Sequence, residues 1–165
     1  MRFKIVGFLF AWLGFGTIFF SSCFFNEPRY CKDFNDLSLS ERKETVRKNS
    51  IETNFALIRC HYYTEGGPTI ADDPIIEGGQ ASVPFLLSKL NESKDENVQY
   101  EAIILLSSID SRVNLLNREE VMANIEQVVS EMKNDLTRKY SAGWLQDMKD
   151  KGTGKPMWRE GWLKQ

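Results

Sequence analysis

The chain has few of the residue types that build catalytic and metal sites. Among its 165 residues there is a single histidine, His61, and there are three cysteines, Cys23, Cys31 and Cys60. The Cys-x-x-Cys spacing of structural zinc sites is missing, so we expect no bound metal ion. A Ser-His-Asp set and a phosphate-binding glycine loop are also missing. We therefore expect no catalytic residues and no cofactor.

Two further patterns are missing from the sequence. No segment alternates apolar and polar residues for long enough to indicate a strand. There is also no basic excess: the net charge is −2, and it becomes −4 without Arg2 and Lys4 of the N-terminal segment. An acidic chain has no electrostatic reason to bind nucleic acid. The remaining composition, 27% charged and 42% hydrophobic, is typical of one folded globular domain.

The N-terminal segment follows the three-part plan of a secretory signal. Arg2 and Lys4 supply a basic start, residues 5–20 carry no charge, and Ser21 and Ser22 follow. The cations are expected to stay in the cytoplasm while the apolar stretch enters the bilayer, because charge at the membrane centre is costly. We predict that residues 1–22 are a signal peptide that exports the rest of the chain.

The tetrapeptide Phe-Ser-Ser-Cys that ends at Cys23 resembles the lipobox of bacterial lipoproteins, with Phe20 where leucine is usual. In that family the cysteine is lipidated and becomes the first residue after cleavage. The resemblance implies palmitate-type lipid on Cys23 and, because Phe24 is not acidic, favours a periplasm-facing place on the outer membrane. Two alternatives stay open: cleavage with release, or an uncleaved anchor, since residues 5–25 are long enough to span a bilayer.

If Cys23 carries lipid, Cys31 and Cys60 remain as a pair. Paired cysteines in an oxidising compartment are expected to form a disulfide. The closed loop of about 30 residues would stabilise the fold by roughly 3–4 kcal/mol in chain-entropy terms. Two buried free thiols are the alternative.

Helical patterns cover most of the chain after residue 37. Ser38 with Glu41 and Asn117 with Glu120 have capping-box spacing, and Asp95 is a third predicted N-cap. Apolar side chains recur at helical spacing behind Asp95 and Asn117 and in residues 50–63 and 80–91, whereas the helix after Ser38 is polar and weakly patterned. We therefore predict an all-α bundle of five to six helices, in which the helix after Asp95 is central to the core. The predicted helices span residues 38–49, 50–63, 80–91, 95–110, 117–132 and 136–148.

Two segments, GQASVPFLL at 79–87 and NVQYEAI at 97–103, resemble part of a HEAT-like repeat. In that family a helix beginning near Ala-Val-Pro is followed by one that opens with Val-Arg-x-x-Ala. Here Gln99 stands where arginine is common, and Tyr100 where a small residue is usual. The resemblance covers one to two repeats, fewer than the three that a stable array needs. It implies local helix pairs and a scaffolding or binding role without catalysis.

Two segments outside the predicted helices are predicted to contact a partner. Residues 64–79 form a long acidic loop rich in Gly and Pro, and such loops on rigid helices often carry function. Residues 150–165 form a basic tail that either touches anionic lipid or a partner, or folds back on the body. The predicted contact residues are Gly66, Gly67, Asp72, Asp73, Trp158 and Trp162.

These patterns predict a membrane-tethered envelope lipoprotein whose helical body binds or scaffolds another envelope protein. One alternative is an immunity or inhibitor protein directed against an envelope-acting toxin. An enzyme is the second alternative, and it would need His61 in a pocket with a carboxylate. The predicted regions are a signal peptide (1–22), a lipid-anchored tether (23–37), the helical domain (38–149) and the C-terminal tail (150–165).

Overall fold

A computed structural model describes residues 29–60 and 70–151 of the chain. In these two ranges the backbone forms eight α-helices and no strand, so the all-α prediction is confirmed. A 3₁₀ helix over Gly79–Ser82 leads into the fifth α-helix. The helices are α1 (Arg29–Asn35), α2 (Leu39–Lys48), α3 (Ile51–Ile58), α4 (Asp72–Glu77), α5 (Val83–Glu92), α6 (Glu96–Arg112), α7 (Arg118–Glu131) and α8 (Asp135–Asp150).

Polar caps begin two of the helices where the sequence predicted them. The Ser38 backbone N–H donates to the Glu41 carboxylate at 2.8 Å, and the Ser38 hydroxyl accepts from the Glu41 N–H at 3.4 Å. Hydrogen bonds from Ser38 hold the pKa of Glu41 below its ordinary value. At the start of α6, Asp95 accepts a hydrogen bond from the Asn97 N–H at 3.0 Å. These bonds satisfy backbone donors that the first turn of a helix leaves unpaired.

The predicted side-chain cap at Asn117 is wrong, although α7 does begin at the next residue. Asn117 lies in the left-handed region with a φ of 55°, and its side chain makes no capping hydrogen bond. A side-chain cap requires extended backbone at that position, whereas asparagine also tolerates the left-handed conformation of a tight turn. The side-chain cap of the next helix is Asn134, which accepts from the N–H groups of Leu136 and Thr137.

Helices α3 to α8 form three consecutive pairs, α3–α4, α5–α6 and α7–α8, that stack in two layers. In one layer, Phe55 of α3 packs edge-on against Phe85 of α5 with ring centroids 5.6 Å apart, and α5 contacts α7. In the other layer, α6 lies against both α4 and α8. The predicted helix pairs are therefore present. There are three of them rather than one or two, which lets neighbouring pairs bury a continuous core.

The central helix of the core is α6, as its apolar pattern predicted. Its contacts with α4, α5 and α8 leave no broad solvent-facing side. A helix that is apolar over so much of its circumference is stable in water only when other helices surround it. Its fully buried apolar residues, each at most 1% exposed, are Ala102, Ile103, Leu105, Leu106 and Ile109.

Two short helices lie where the sequence analysis placed a tether and a loop. The first is α1, whose Cys31 and Phe34 are buried, so this part of the predicted tether packs on the helical body. The second is α4, which takes up the second half of the predicted loop at 64–79. Pro74 is compatible with that helix because it lies in the first turn, where its missing N–H has no intrahelical partner.

The turn after α4 depends on two glycines. A Cβ on Gly78 would lie 2.4 Å from the Ser82 hydroxyl oxygen, which leaves no room for a side chain there. Gly79 has a φ of +53°, in the region that favours glycine. The Ser82 hydroxyl is buried and donates to the Ile75 carbonyl at 2.7 Å. This tight turn leads from α4 into the 3₁₀ helix, which contacts α4, α5 and α6.

A buried carboxylate fastens one end of α6, α7 and α8. Asp110, 1% exposed, accepts from the Arg118 Nε at 3.0 Å on both carboxylate oxygens. The Lys151 Nζ lies 3.4 Å from one of those oxygens and donates to the Asp110 carbonyl. Arg118 also donates to the Met148 carbonyl. A charge so deeply buried is tolerated only when it is paired in this way.

Glu96 joins the N-terminal ends of α6 and α8, at the other end of this helix pair from Asp110. Its carboxylate accepts from the backbone N–H groups of Lys133 and Asn134 at 2.7 and 2.9 Å. These two bonds, aided by the nearby cations, hold the pKa of Glu96 below its ordinary value. Helices α6 and α8 are therefore tied at both ends, which keeps them parallel along their length.

Candidate functional site

A disulfide bridge joins α1 to Cys60, which lies two residues beyond the end of α3. The Sγ atoms of Cys31 and Cys60 are 2.08 Å apart, their Cα atoms are 5.2 Å apart, and both residues are buried. The predicted pairing of these two cysteines is confirmed. Phe34 of α1 is also buried, and the Arg42 guanidinium lies 5.8 Å from the centre of its ring. The bridge and this packing make α1 part of the body.

Only two of the predicted partner-binding residues lie in the described ranges. Asp72 and Asp73 are in the first turn of α4, where a carboxylate interacts favourably with the helix dipole. Asp73 is exposed and Asp72 is half-buried. The predicted residues outside the described ranges are Cys23, His61, Gly66, Gly67, Trp158 and Trp162.

Side chains from α6 and α8 form an aromatic surface on the layer that contains α4. Tyr100 and Ile104 are four residues apart on α6, and Tyr140 and Trp144 are four residues apart on α8, so each pair shares one helix face. Trp144 is buried, while the other three are half-buried. We call these four residues the α6–α8 face.

Tyr100 shows that the three aromatic residues of this face are close neighbours. Burial raises the pKa of its hydroxyl above the ordinary value, and the indole of Trp144, which lies against that hydroxyl, lowers it in part. Glu101 and Tyr140 lie near enough to add a smaller raising effect. The Tyr100 hydroxyl therefore stays protonated over the whole physiological range, as a neutral group that donates and accepts hydrogen bonds.

Two carboxylates are buried on the same pair of helices. Glu101 follows Tyr100 on α6 and is 5% exposed, and Asp147 follows Trp144 by three residues on α8 and is 6% exposed. Transfer of a carboxylate from water to a protein interior is costly, so such groups are more common at binding or catalytic positions than elsewhere in a core. Glu101 acts on the Tyr100 hydroxyl, so at least one of these buried carboxylates lies beside the α6–α8 face.

The α6–α8 face has the chemistry of a protein-binding surface. Aromatic side chains supply a large contact area with few rotatable bonds, and the tyrosine hydroxyls add directional hydrogen bonds. Tyrosine and tryptophan are also enriched in the residues that contribute most to protein–protein binding. The half-buried state of Tyr100, Ile104 and Tyr140 holds these side chains in place before a partner arrives, which lowers the entropy cost of binding.

A groove lies between α7 and α8, with a volume of about 540 Å³. Four of its five charged side chains form two ion pairs: the Lys149 Nζ lies 3.1 Å from a Glu126 carboxylate oxygen, and Arg138 pairs with Asp135 at 2.5 Å. Val129 and Leu145 form an apolar floor. Exposed ion pairs contribute little to binding energy, so this groove is the weaker candidate.

Neither metal ligands nor a membrane span is found in residues 29–60 and 70–151. Within these ranges, no three His, Cys, Asp or Glu residues are grouped so that they could hold a metal ion. No helix in the same ranges combines the length and the hydropathy needed to cross a bilayer.

The chain matches no family model, no curated protein and no solved structure. Its function is therefore inferred from its own residues. Sequence reasoning placed Tyr140 and Trp144 only in a last helix and did not connect them with Tyr100, because about 40 residues separate them. One signal was available: Tyr100 occupies a position where the HEAT-like pattern has a small residue.

Proposed function

We propose that this chain is an exported, membrane-tethered protein-binding module, with lipid on Cys23 and with the α6–α8 face as its partner surface. The buried bridge between Cys31 and Cys60 is the observation that carries the proposal. Structural disulfides persist in oxidising compartments and are rare in the cytosol, where thiols are kept reduced. The bridge therefore supports the export that residues 1–22 predict.

The position of the bridge also suits a tether. Arg29, the first residue of α1, follows Cys23 by six residues. Six residues span at most about 20 Å when fully extended, so a lipid on Cys23 would hold the body close to the bilayer. Since the bridge joins α1 covalently to the end of α3, the anchor would be attached to the folded core rather than to a loose end.

Tyr100, Ile104 and Tyr140 support a protein as the partner. The two tyrosines present aromatic rings and hydroxyls and Ile104 adds an apolar contact, which suits a polypeptide surface better than a highly charged polymer. Asp73, exposed on α4 in the same layer of helices, adds one carboxylate for a basic group of the partner. The expected partner is another protein of the cell envelope.

The tether is tested by labelling cells with radioactive palmitate and purifying the protein from the membrane fraction. Wild-type protein should carry label and should sediment with membranes. Cys23→Ala should lose the label, while Cys31→Ala serves as the matched cysteine control and should keep it. Equal labelling of wild type and Cys23→Ala would contradict lipid attachment at Cys23.

The partner surface is tested by cross-linking in intact cells, followed by purification under denaturing conditions. The variant Tyr100→Ala/Tyr140→Ala should lose a cross-linked species that wild type forms. Tyr30→Ala is the matched control, because Tyr30 is 49% exposed on α1 and away from the α6–α8 face. Thermal unfolding of the double variant checks that it is folded, and Tyr100→Phe separates loss of the hydroxyl from loss of the ring. A cross-linked species of equal yield in wild type and double variant would contradict the assignment.

A further inference from the structure

Helix α2 packs against the body far less than α6 does. Val46 is the one residue of its ten that is buried, although all of them are described. The Asn54 side chain donates to the Val46 carbonyl at 2.8 Å and holds this helix to α3. Arg42 turns inward and donates to the Leu37 carbonyl at 2.9 Å. The opposite side of α2 therefore faces outward, and packing within the body does not account for its composition.

An apolar residue and two cations line that outward side. Leu39, Lys43 and Arg47 are spaced four residues apart, so they form one stripe along the helix. Leu39 is 60% exposed, and Lys43 and Arg47 are exposed as well. Within residues 29–60 and 70–151, neither cation forms an ion pair, whereas the neighbouring Lys48 pairs with Glu44 at 2.6 Å.

Charge is unevenly distributed between this region and the rest of the body. Residues 29–50 contain six basic and four acidic side chains, a net charge of +2. Residues 70–151 contain nine basic and fifteen acidic side chains, a net charge of −6. A negatively charged surface would attract the first region and repel the second, so it would orient the molecule with α2 towards it.

We propose that the stripe formed by Leu39, Lys43 and Arg47 docks on anionic lipid headgroups of the bilayer that holds the N-terminal segment. The chain order places α2 next to that bilayer, because only α1 and a short linker separate it from Cys23. Basic side chains bind an anionic leaflet electrostatically, and an exposed leucine enters the boundary between headgroups and acyl chains. The docked helix turns the α6–α8 face to a fixed direction relative to the membrane.

This inference rests on the proposed membrane attachment, and it holds whether Cys23 carries lipid or the N-terminal segment stays uncleaved. Full-length protein is reconstituted in vesicles of phosphatidylcholine, with or without phosphatidylglycerol. A water-soluble acetylating reagent then modifies exposed amines, which peptide mass spectrometry quantifies. Lys43 reports on the stripe, and the exposed Lys139 of α8 is the internal control.

Acetylation of Lys43 should be several-fold slower on anionic than on neutral vesicles, while Lys139 reacts at the same rate on both. High salt should remove the difference, because it screens attraction between exposed charges. Hydrogen exchange of the α2 backbone gives a second readout. Anionic vesicles should slow it in wild type and in the control variant Lys139→Glu, but not in Lys43→Glu/Arg47→Glu.

Each result separates this inference from the proposed function. Protein that stays with the vesicles but shows equal Lys43 acetylation on both vesicle types overturns the docking of α2 and leaves the tether intact. Equal slowing at Lys43 and Lys139 overturns it too, because the whole body would then be shielded. Protein that does not float with vesicles at all overturns both proposals.

Discussion

Replacement of Leu106 by alanine tests the central place of α6. Leu106 lies in the middle of that helix and is 0% exposed, and α6 contacts α4, α5 and α8. The substitution removes three carbon atoms from a site that is enclosed by three helices. One of these helices, α8, is fastened to α6 at both ends, through Glu96 and through Asp110, so its side chains cannot collapse fully into the space.

The expected cost follows from those two conditions. A buried Leu→Ala change costs about 2–5 kcal/mol, and the cost grows with the cavity that remains. For a domain of this size, each kcal/mol lowers the thermal midpoint by about 4 °C. We therefore expect Leu106→Ala to lower the midpoint by about 8–20 °C, with the upper half of the range if the cavity stays open.

Far-ultraviolet circular dichroism during heating measures the midpoint, and urea unfolding measures the free energy directly. Leu116→Ala is the matched control, because the same atoms are removed from a side chain that is 72% exposed. Its free energy of unfolding should stay within about 0.5 kcal/mol of wild type. If Leu106→Ala and Leu116→Ala unfold at the same midpoint, α6 is not the central helix and the two-layer packing is incorrect.

Three further predictions concern the bonds that tie the helices together. Cys31→Ala/Cys60→Ala should lower the free energy of urea unfolding by about 3–4 kcal/mol, and an unchanged urea midpoint would show that the bridge does not restrain the unfolded chain. Arg118→Ala should cost about 3 kcal/mol because it leaves buried Asp110 with Lys151 as its remaining cation; a loss as small as that of an exposed arginine would refute this. Hydrogen bonds lower the pKa of Glu96 in the folded state. The stability that Glu96 adds to the folded state is therefore present above its unfolded-state pKa, and it is lost as pH falls through its folded-state pKa. Glu96→Gln should therefore show a weaker fall in urea midpoint on acidification than wild type, and parallel pH profiles would contradict it.

The sequence predicted those parts of the fold that depend on neighbouring residues. Ser38 with Glu41 and the cap at Asp95 are local hydrogen-bond patterns, and both are present. The stripe of α6 and its central position followed from helical periodicity alone. Cys31 and Cys60 were predicted as a pair by counting, because lipid on Cys23 leaves only two cysteines.

Short helices were not predicted, because they have too few turns to show a periodic pattern. Helix α1 has seven residues, of which only Cys31 and Phe34 are buried. Helix α4 has six residues and lies between glycines and a proline that indicate a loop. Its stability comes from packing against α3 and α6, and such tertiary contacts override local propensity. The left-handed conformation of Asn117 was not predicted either, because the geometry of the turn determines it.

The candidate site was beyond sequence reasoning for a related reason. Tyr100 and Trp144 become neighbours only because α6 and α8 lie parallel in one layer. The sequence around either residue does not indicate that these two helices pack together. The buried carboxylates Glu101 and Asp147 were equally hidden, since each lies in a helix where an exposed acidic side chain would be ordinary. Knowledge of which helices pair was needed before these residues could be grouped.

The most direct test of the account is the intact mass of the protein purified from cell membranes under non-reducing conditions. We predict a chain that begins at Cys23, with the added mass of lipid on that residue, one disulfide between Cys31 and Cys60, and no thiol that an alkylating reagent can modify. A chain that begins at Met1, is recovered from the cytosol and has alkylatable cysteines would contradict the export, the tether and the bridge together.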